Sequence, residues 1–411
     1  MKKRPEEIRK DFPILARTMH GHPLCYLDNA ATTQVPQVVI DRVRECYMKH
    51  HANTYRGAHG LGEEATLAFE DARARIAKFI GAQDSSEVSF SSGCTGGINC
   101  VAFGWARSQF KPGDEILITE LEHHSNLVPW QQVAAHTGAV LKWIPVTPDG
   151  LLAMDQLDQL VTDRTKLVSV TTTANAIGTQ LDLPTIIAAA KSVGARVLID
   201  AAQSPVHEPI DVTELGADFC AISSHKMFGP TGVGALYVNK ALHDQMVPCR
   251  FGGGMVETAT METATFRPMP QLLEAGTPPI AQAIGMGAAV RYIEENIDLG
   301  SVHGYESSLC ARLINGLEQH KEIRLLGPVS ELKRTGHLIS FLVDGIHAHD
   351  VTAYLDQAGI CARAGNHCAQ PIARALGYEA STRISFCVYN LPEEVDRVLD
   401  TITHMLREHH R

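Results

Sequence analysis

Arg196-Val197-Leu198-Ile199-Asp200-Ala201-Ala202-Gln203 is the stretch on which the fold turns. Three aliphatic residues in a row, with no polar alternation, mark a strand covered on both faces, as in a mainly parallel sheet between helices. The run ends in a carboxylate, and ligands in open α/β sheets bind beyond the carboxyl ends of the strands. Working outward, Leu24–Leu27, Glu87–Phe90, Glu115–Thr119, Val140–Pro145, Lys166–Thr171, Phe219–Ser223 and Ala235–Val238 also read as strands. Segments such as Asn126–His136 and Leu183–Val193 are long enough to be crossover helices. The Gly- and Pro-rich stretch Phe251–Pro279 reads as irregular and functional. Beyond it, Ile280–Glu318 is predicted helical. Strands at His337–Val343, Cys361–Arg363 and Arg383–Val388, with helices at Asp350–Ala358 and from Pro392, predict a second, compact α/β unit.

The length, 411 residues, suits two or three domains at roughly 150 residues each. Hydrophobic residues at 45% and charged residues at 20% fit a soluble globular chain. The net charge of -10 repels phosphate backbones, which argues against nucleic acid as a partner. No apolar run approaches the roughly 18 residues needed to span a bilayer. The charged start, Met1 to Glu7, has no apolar h-region after it and does not read as a secretory signal, so a cytoplasmic location is expected. The ten cysteines are scattered with no Cys-x-x-Cys pair, so reduced thiols are expected and a metal site is not.

Several segments carry chemistry. Ser223-Ser224-His225-Lys226-Met227-Phe228-Gly229-Pro230 places a lysine just after an apolar strand, where a depressed pKa makes an amine nucleophilic; alone, it also fits a surface loop. Asp200 fits a partner for a protonated ring nitrogen, or a plain helix N-cap. Glu122-His123-His124-Ser125-Asn126 offers an imidazole to stack on a planar group; adjacent histidines rarely reach one metal ion. Ser92-Gly93-Cys94-Thr95-Gly96-Gly97 lies between a strand and a helix, where free N–H groups attract phosphate. Cys361-Ala362-Arg363-Ala364-Gly365-Asn366-His367-Cys368-Ala369-Gln370-Pro371 puts Cys368 in a short polar loop beside His367 and near Arg363, and a cation there lowers a thiol's pKa. Arg383, at a predicted strand start, can clamp a carboxylate through two hydrogen bonds or form a surface ion pair.

Together these segments resemble the cysteine desulfurases of the class V aminotransferase family, within pyridoxal-phosphate (PLP) fold type I. The likeness runs from Tyr26-Leu27-Asp28-Asn29-Ala30-Ala31-Thr32 to Arg383-Ile384-Ser385-Phe386, and the Arg-x-Gly-x-His-Cys-Ala-x-Pro loop resembles the group II, or Suf-type, branch, which includes selenocysteine lyases. The resemblance implies an α/β architecture with a mainly parallel seven-stranded sheet in a large PLP-binding domain, residues 30–289. A smaller domain, residues 1–29 and 290–411, would carry the Cys368 loop. Residue by residue, it implies that Lys226 bonds PLP covalently, His123 stacks on the ring and manages protons, Asp200 meets the pyridinium nitrogen and Gln203 the phenolic oxygen. Thr95, Ser223 and His225 match phosphate ligands. Thr277 matches a residue reaching the phosphate of a neighbouring subunit, which implies a homodimer with shared active sites. Arg383, Asn175, Arg363, Ala30 and Ala31 match the substrate-binding positions, and Cys368 the persulfide carrier.

The expected reaction converts L-cysteine to L-alanine and passes sulfur to a SufE-like acceptor for iron–sulfur cluster assembly. Alternatives are selenocysteine lyase or cysteine sulfinate desulfinase activity, another class V reaction such as aminotransfer, and a non-catalytic sulfur-transfer scaffold. The chain departs from the common group II pattern at Tyr55, within Asn53-Thr54-Tyr55-Arg56-Gly57, at Ser92, Cys94 and Gly96 in the phosphate loop, and at Asn366.

Overall fold

In a computed structural model, which describes residues 2–55 and 57–409, seven strands form one sheet. They are β1 (Val88–Ser91), β2 (Glu115–Thr119), β3 (Val140–Ile144), β4 (Thr165–Thr171), β5 (Arg196–Asp200), β6 (Phe219–Ser223) and β7 (Gly234–Val238), in the order β1-β7-β6-β5-β4-β2-β3. The pairs β2–β3, β2–β4, β4–β5 and β5–β6 are parallel; only β7 runs against its neighbours β6 and β1. The apolar run read from the sequence has the expected cause. Val197 and Ile199 of β5 pack into one core cluster, while Leu198 between them packs into the cluster on the opposite face. Arg56 of the Asn53–Gly57 segment lies outside the described residues.

Helices α1 (Gln37–Lys49), α2 (Gly60–Phe79), α3 (Gly93–Val101), α4 (Val128–Thr137) and α5 (Leu183–Ser192) belong with this sheet. The β1–α3 junction depends on glycine. Gly93 has φ +74, and a Cβ on the facing Gly234 would lie 2.6 Å from the Gly93 Cα and 2.4 Å from the Ile222 carbonyl oxygen. Only bare backbone on both sides lets the start of α3 settle onto the strand ends.

The predicted continuous helix over Ile280–Glu318 is two helices, α6 (Ile280–Asn296) and α7 (Leu299–Leu317), because Ile297 is extended at φ -116, ψ 132. The second unit is a four-stranded sheet of β8 (Ile323–Leu326), β9 (Leu338–Val343), β10 (Arg363–Gly365) and β11 (Ser381–Ser385), ordered β8-β9-β11-β10. Around it lie α8 (Ala348–Gln357), α9 (Gln370–Ala375) and α10 (Pro392–His409). β8 is absent from the sequence reading, since Ile323-Arg324-Leu325-Leu326 is too short to show a period. Arg383 stands mid-strand in β11, not at a strand start. The strand read at Leu24–Leu27 is Cys25–Tyr26, which pairs in parallel with Ile360–Cys361 and not with the large sheet. The Gly/Pro-rich stretch, read as irregular, contains a hairpin, Val256–Ala259 with Ala264–Phe266.

One buried ion network ties the segment before Thr277 to the large sheet. Arg73 of α2 is 1% exposed. Its Nη2 donates to Glu274 at 2.9 Å, its Nε to Glu70 at 3.0 Å and its Nη1 to the Val88 carbonyl at 2.8 Å. Glu274 also accepts the Phe90 N–H at 2.7 Å. The departure at Tyr55 joins this network, its hydroxyl bonded to Glu70 and accepting from Arg73 Nη2 at 3.1 Å. Arg73→Ala strips Glu274 of its buried counter-charge and should cost about 3–5 kcal/mol. Urea unfolding checks this, and a loss below about 1 kcal/mol would show that water replaces the guanidinium.

Candidate active site

The carboxyl ends of β4, β5 and β6 open on a cavity of about 290 Å³. Of the fourteen residues singled out in the sequence, thirteen line it. Lys226, Asp200, His123, Gln203 and Thr95 come from the large sheet's edge, as do Ser223, His225 and Asn175. Ala30 and Ala31 arrive from the N-terminal segment, and Arg363, Cys368 and Arg383 from the second unit. Thr277 does not join them; within one chain it lines a separate cavity with Tyr55 and Gly253.

Lys226 ends a 3-10 turn, Ser224–Lys226, directly after β6. Burial lowers its ammonium pKa most, opposed by the Asp200 carboxylate and assisted by Arg383. Asp200 is 3% exposed at the end of β5. Its Oδ1 accepts the Ala202 N–H at 3.0 Å, closing a turn where no helix follows, and the Cys94 thiol at 3.0 Å. Cys94, one of the departures, is thus a donor to Asp200, and burial followed by that carboxylate raises its pKa and keeps it a thiol. Gln203 donates to the Ala30 carbonyl at 3.0 Å, which fixes the N-terminal segment over the site.

His123 Nδ1 accepts the Ser125 N–H at 3.0 Å, which leaves the ring proton on Nε2. Burial, then Lys226, pulls its pKa down to about 4, so the ring is neutral. Ser125 Oγ lies 2.6 Å from Thr95 Oγ1, linking the His123 loop to the first turn of α3. Below this loop, Glu122 accepts from Thr119 at 2.7 Å and from Asn126 at 2.6 Å. His225 is likewise neutral, pulled down to about 4 by burial and then Lys226.

The Cys368 loop is held in an uncommon shape. His367 and Cys368 both have φ 55, consecutive left-handed residues that carry a Cβ. Such positions cost on the order of 1 kcal/mol or more each and persist where surroundings fix them. Asn366 Oδ1 accepts the Cys368 N–H at 3.1 Å, His124 N–H reaches the Cys368 carbonyl at 2.8 Å, and Asn175 Nδ2 donates to the His367 carbonyl at 2.7 Å. The departure at Asn366 therefore caps the turn that presents the thiol. Among the ten cysteines only Cys368 is classed as exposed.

The sequence places His367 beside the thiol as a possible cation. Burial, with Arg383 and Arg363 nearby, pushes its pKa down to about 2, so the ring is neutral and the arginines supply the positive charge. Both are oriented by Asp28, which sequence reasoning did not assign. Arg363 grips it through Nε at 3.0 Å and Nη2 at 2.7 Å, while Arg383 Nη2 touches it at 3.4 Å. Arg383, 2% exposed, spends Nη1 on the Asn175 carbonyl at 2.7 Å.

These histidines set an acid limit on stability. His123 and His367 sit at about 4 and about 2 in the folded chain, against 6.5 ordinarily. Between 6.5 and these values the unfolded chain takes up protons that the folded chain does not. Their contribution is therefore full above 6.5 and is lost as pH falls, by about 1.4 kcal/mol per pH unit for each group. Urea midpoints at pH 7 and pH 5 check it, with a lower midpoint expected at pH 5.

Three buried polar atoms of residues lining the cavity are without a hydrogen-bond partner, Asn175 Oδ1, His367 Nδ1 and Arg383 Nε. Native interiors rarely leave such groups unsatisfied unless a ligand completes them. With a desolvated lysine, a strand-end aspartate, a neutral imidazole and hydroxyls at the start of α3, the donor set fits PLP and an amino-acid carboxylate. Fold and site define a PLP-dependent class of enzyme. The chain belongs to the class V aminotransferase family, whose model matches residues 25–398.

Among its relatives, a probable cysteine desulfurase of Streptomyces coelicolor is 44% identical over 405 residues, covering 97% of this chain and 96% of that protein. A cysteine desulfurase of Haloferax volcanii is 42% identical, with 97% and 96% covered. Among solved structures, the apo cysteine desulfurase of Thermococcus onnurineus superposes with a TM-score of 0.93 at 38% identity, covering 99% of each chain. The cysteine desulfurase CsdA of Escherichia coli gives 0.90 at 34%, covering 98% of this chain and 99% of that one.

Proposed function

We propose that this chain is a PLP-dependent cysteine desulfurase that converts L-cysteine to L-alanine and retains the sulfur as a persulfide on Cys368. The observation that carries this reading is an exposed thiol, fixed in a strained turn, on the wall of the cavity that holds Lys226 and Asp200. When bound, PLP supplies an electron-withdrawing ring that accepts the electrons released at the substrate's Cα. Lys226 Nζ would anchor it, Asp200 would hold a proton on the ring nitrogen, His123 would meet the ring and Gln203 the phenolic oxygen. Ser223, Thr95 and His225 would hold the phosphate, with the N–H groups of the first turn of α3.

Arg383 takes the substrate carboxylate on its free Nε edge, and the second N–H of Asn175 Nδ2 adds to it. Lys226 Nζ, whose pKa burial lowers, removes the Cα proton. Arg363 and Arg383 line the same cavity as Cys368 and bring positive charge to its wall. Cys368 Sγ attacks the substrate sulfur; the S–S bond forms as the Cβ–S bond breaks. The carbon fragment keeps the electron pair, and His123 moves a proton during cleavage. Cysteine and a thiol thereby give alanine and a persulfide, with atoms in balance.

A second copy of the chain would complete the site through Thr277. The exposed Tyr47 and Met48 of α1 and Leu67 of α2 support such an interface, since a lone surface seldom shows large apolar groups together. A SufE-like acceptor, a role in iron–sulfur assembly and a cytoplasmic location complete the reading. No helix of the described residues is long and apolar enough to cross a membrane. Incubation with L-cysteine, scoring alanine and sulfane sulfur on Cys368 together, tests it. Equal amounts in the first turnover are expected; pyruvate in place of alanine, or sulfur on another cysteine, would refute it.

A further inference from the structure

Outside the active site, one other pair of thiols is built into the fold. Cys249 Sγ lies 2.9 Å from Cys100 Sγ, the only thiol–thiol hydrogen bond among the described residues. Two features of the backbone bring them together across 149 positions of sequence. Cys100 lies near the end of α3, immediately before a π-helical turn, Ala102–Ala106. Gly104 in that turn lets the segment after β7 lie flat against it: its carbonyl accepts the Val247 N–H at 2.7 Å, and a Cβ there would stand 2.8 Å from the Val247 carbonyl oxygen. The contact is thus anchored on both sides, two residues from Cys249.

The two sulfurs differ in surroundings. Cys100 is 4% exposed, while Cys249 is half-buried. Cys249 opens on a cavity of about 290 Å³ lined also by Asn99, Phe103 and Arg250. The hydrogen bond with Cys100, and then Arg250, draws the Cys249 thiol down to about 7, whereas that same bond and burial push Cys100 up. Cys249 is therefore the partner that carries thiolate at neutral pH, and Cys100 the protonated resolving thiol.

We propose that Cys100 and Cys249 form a reversible redox site that a peroxide converts to an intrachain disulfide. The Cys249 thiolate attacks one oxygen of hydrogen peroxide, the O–O bond breaks, water leaves, and Cys249 becomes a sulfenic acid. Cys100 Sγ then displaces the sulfenic oxygen, which departs as a second water with the Cys100 proton. Two thiols lose two electrons and the peroxide gains them; a dithiol reductant reverses the change. Closing from 2.9 Å to the roughly 2.05 Å of an S–S bond needs little movement. The bond would pin the Val247–Arg250 segment to α3, whose other end lines the cavity of Lys226 through Thr95. The site does not rest on the proposed reaction, since neither thiol lines that cavity.

The test treats the PLP-loaded protein with a few equivalents of hydrogen peroxide at pH 7, blocks remaining thiols with iodoacetamide, and maps tryptic peptides by mass spectrometry without reduction. The expected product is a cross-linked Cys100–Cys249 peptide pair in most of the chains, 2 Da lighter than the two free peptides and lost on dithiothreitol treatment. Cys368, exposed, is read on its own peptide. In Cys100→Ser the cross-link should vanish and Cys249 should run on to sulfinic acid; in Cys249→Ser, Cys100 should stay reduced. Over-oxidation of Cys249 in the wild-type protein with Cys100 still alkylatable, or a cross-link to any other cysteine, would overturn the proposal.

Discussion

Lys226→Ala should lower L-cysteine turnover by about 10⁴-fold or more and remove the visible absorbance of lysine-bound cofactor. Two functions are lost at one atom. A positioned general base contributes roughly 10²–10⁴-fold. The covalent anchor is lost with it, and no other described lysine lines the cavity to replace it. The folded-state cost should be small or favourable, since the side chain removed is an amine whose charge burial already opposes. An unchanged melting temperature with a lost chromophore therefore separates chemistry from misfolding. Added ethylamine should restore part of the proton transfer if base loss dominates. A variant that keeps the wild-type visible spectrum would move the cofactor attachment to another residue.

How far the sequence revealed this site depends on the range of each contact. Continuous apolar strands and the residues at their ends were legible because both features are local: Val197-Leu198-Ile199 gives the strand and Asp200 its end. Asp28 was not legible as an organiser, because the arginines it orients lie 335 and 355 positions away. The same holds for Ser125, whose partner hydroxyl on Thr95 sits on a different strand–helix junction. His367 illustrates a different failure. A histidine next to a cysteine reads as a cation, but its charge is decided by burial, which adjacency does not encode. The departures at Tyr55, Cys94 and Asn366 acquire reasons only in three dimensions, as a partner of Arg73, a donor to Asp200 and a turn cap. Thr277 stands apart from the other site residues, in a cavity with Tyr55 and Gly253.

Cys368→Ser should leave PLP binding and the visible spectrum intact yet lower sulfur release from L-cysteine by at least about a hundredfold, a barrier increase of about 2.7 kcal/mol. The side chain is exposed, its own backbone is fixed by Asn366 and His124, and a hydroxyl is close to isosteric, so the turn should persist. What changes is the nucleophile, because a hydroxyl is a far weaker nucleophile than a thiol near neutral pH. Proton removal at Cα does not involve the sulfur, so exchange of the Cα hydrogen of L-cysteine with solvent deuterium should continue in the variant. That exchange, read by mass spectrometry, separates a lost nucleophile from a collapsed site. Selenocysteine and cysteine sulfinate divide the remaining readings, since their leaving groups depart without a thiol's attack. Retained turnover of those substrates alone would fit the proposed division of labour between Lys226 and Cys368. Retained turnover of L-cysteine itself would remove Cys368 from the reaction and leave its strained turn without a catalytic purpose.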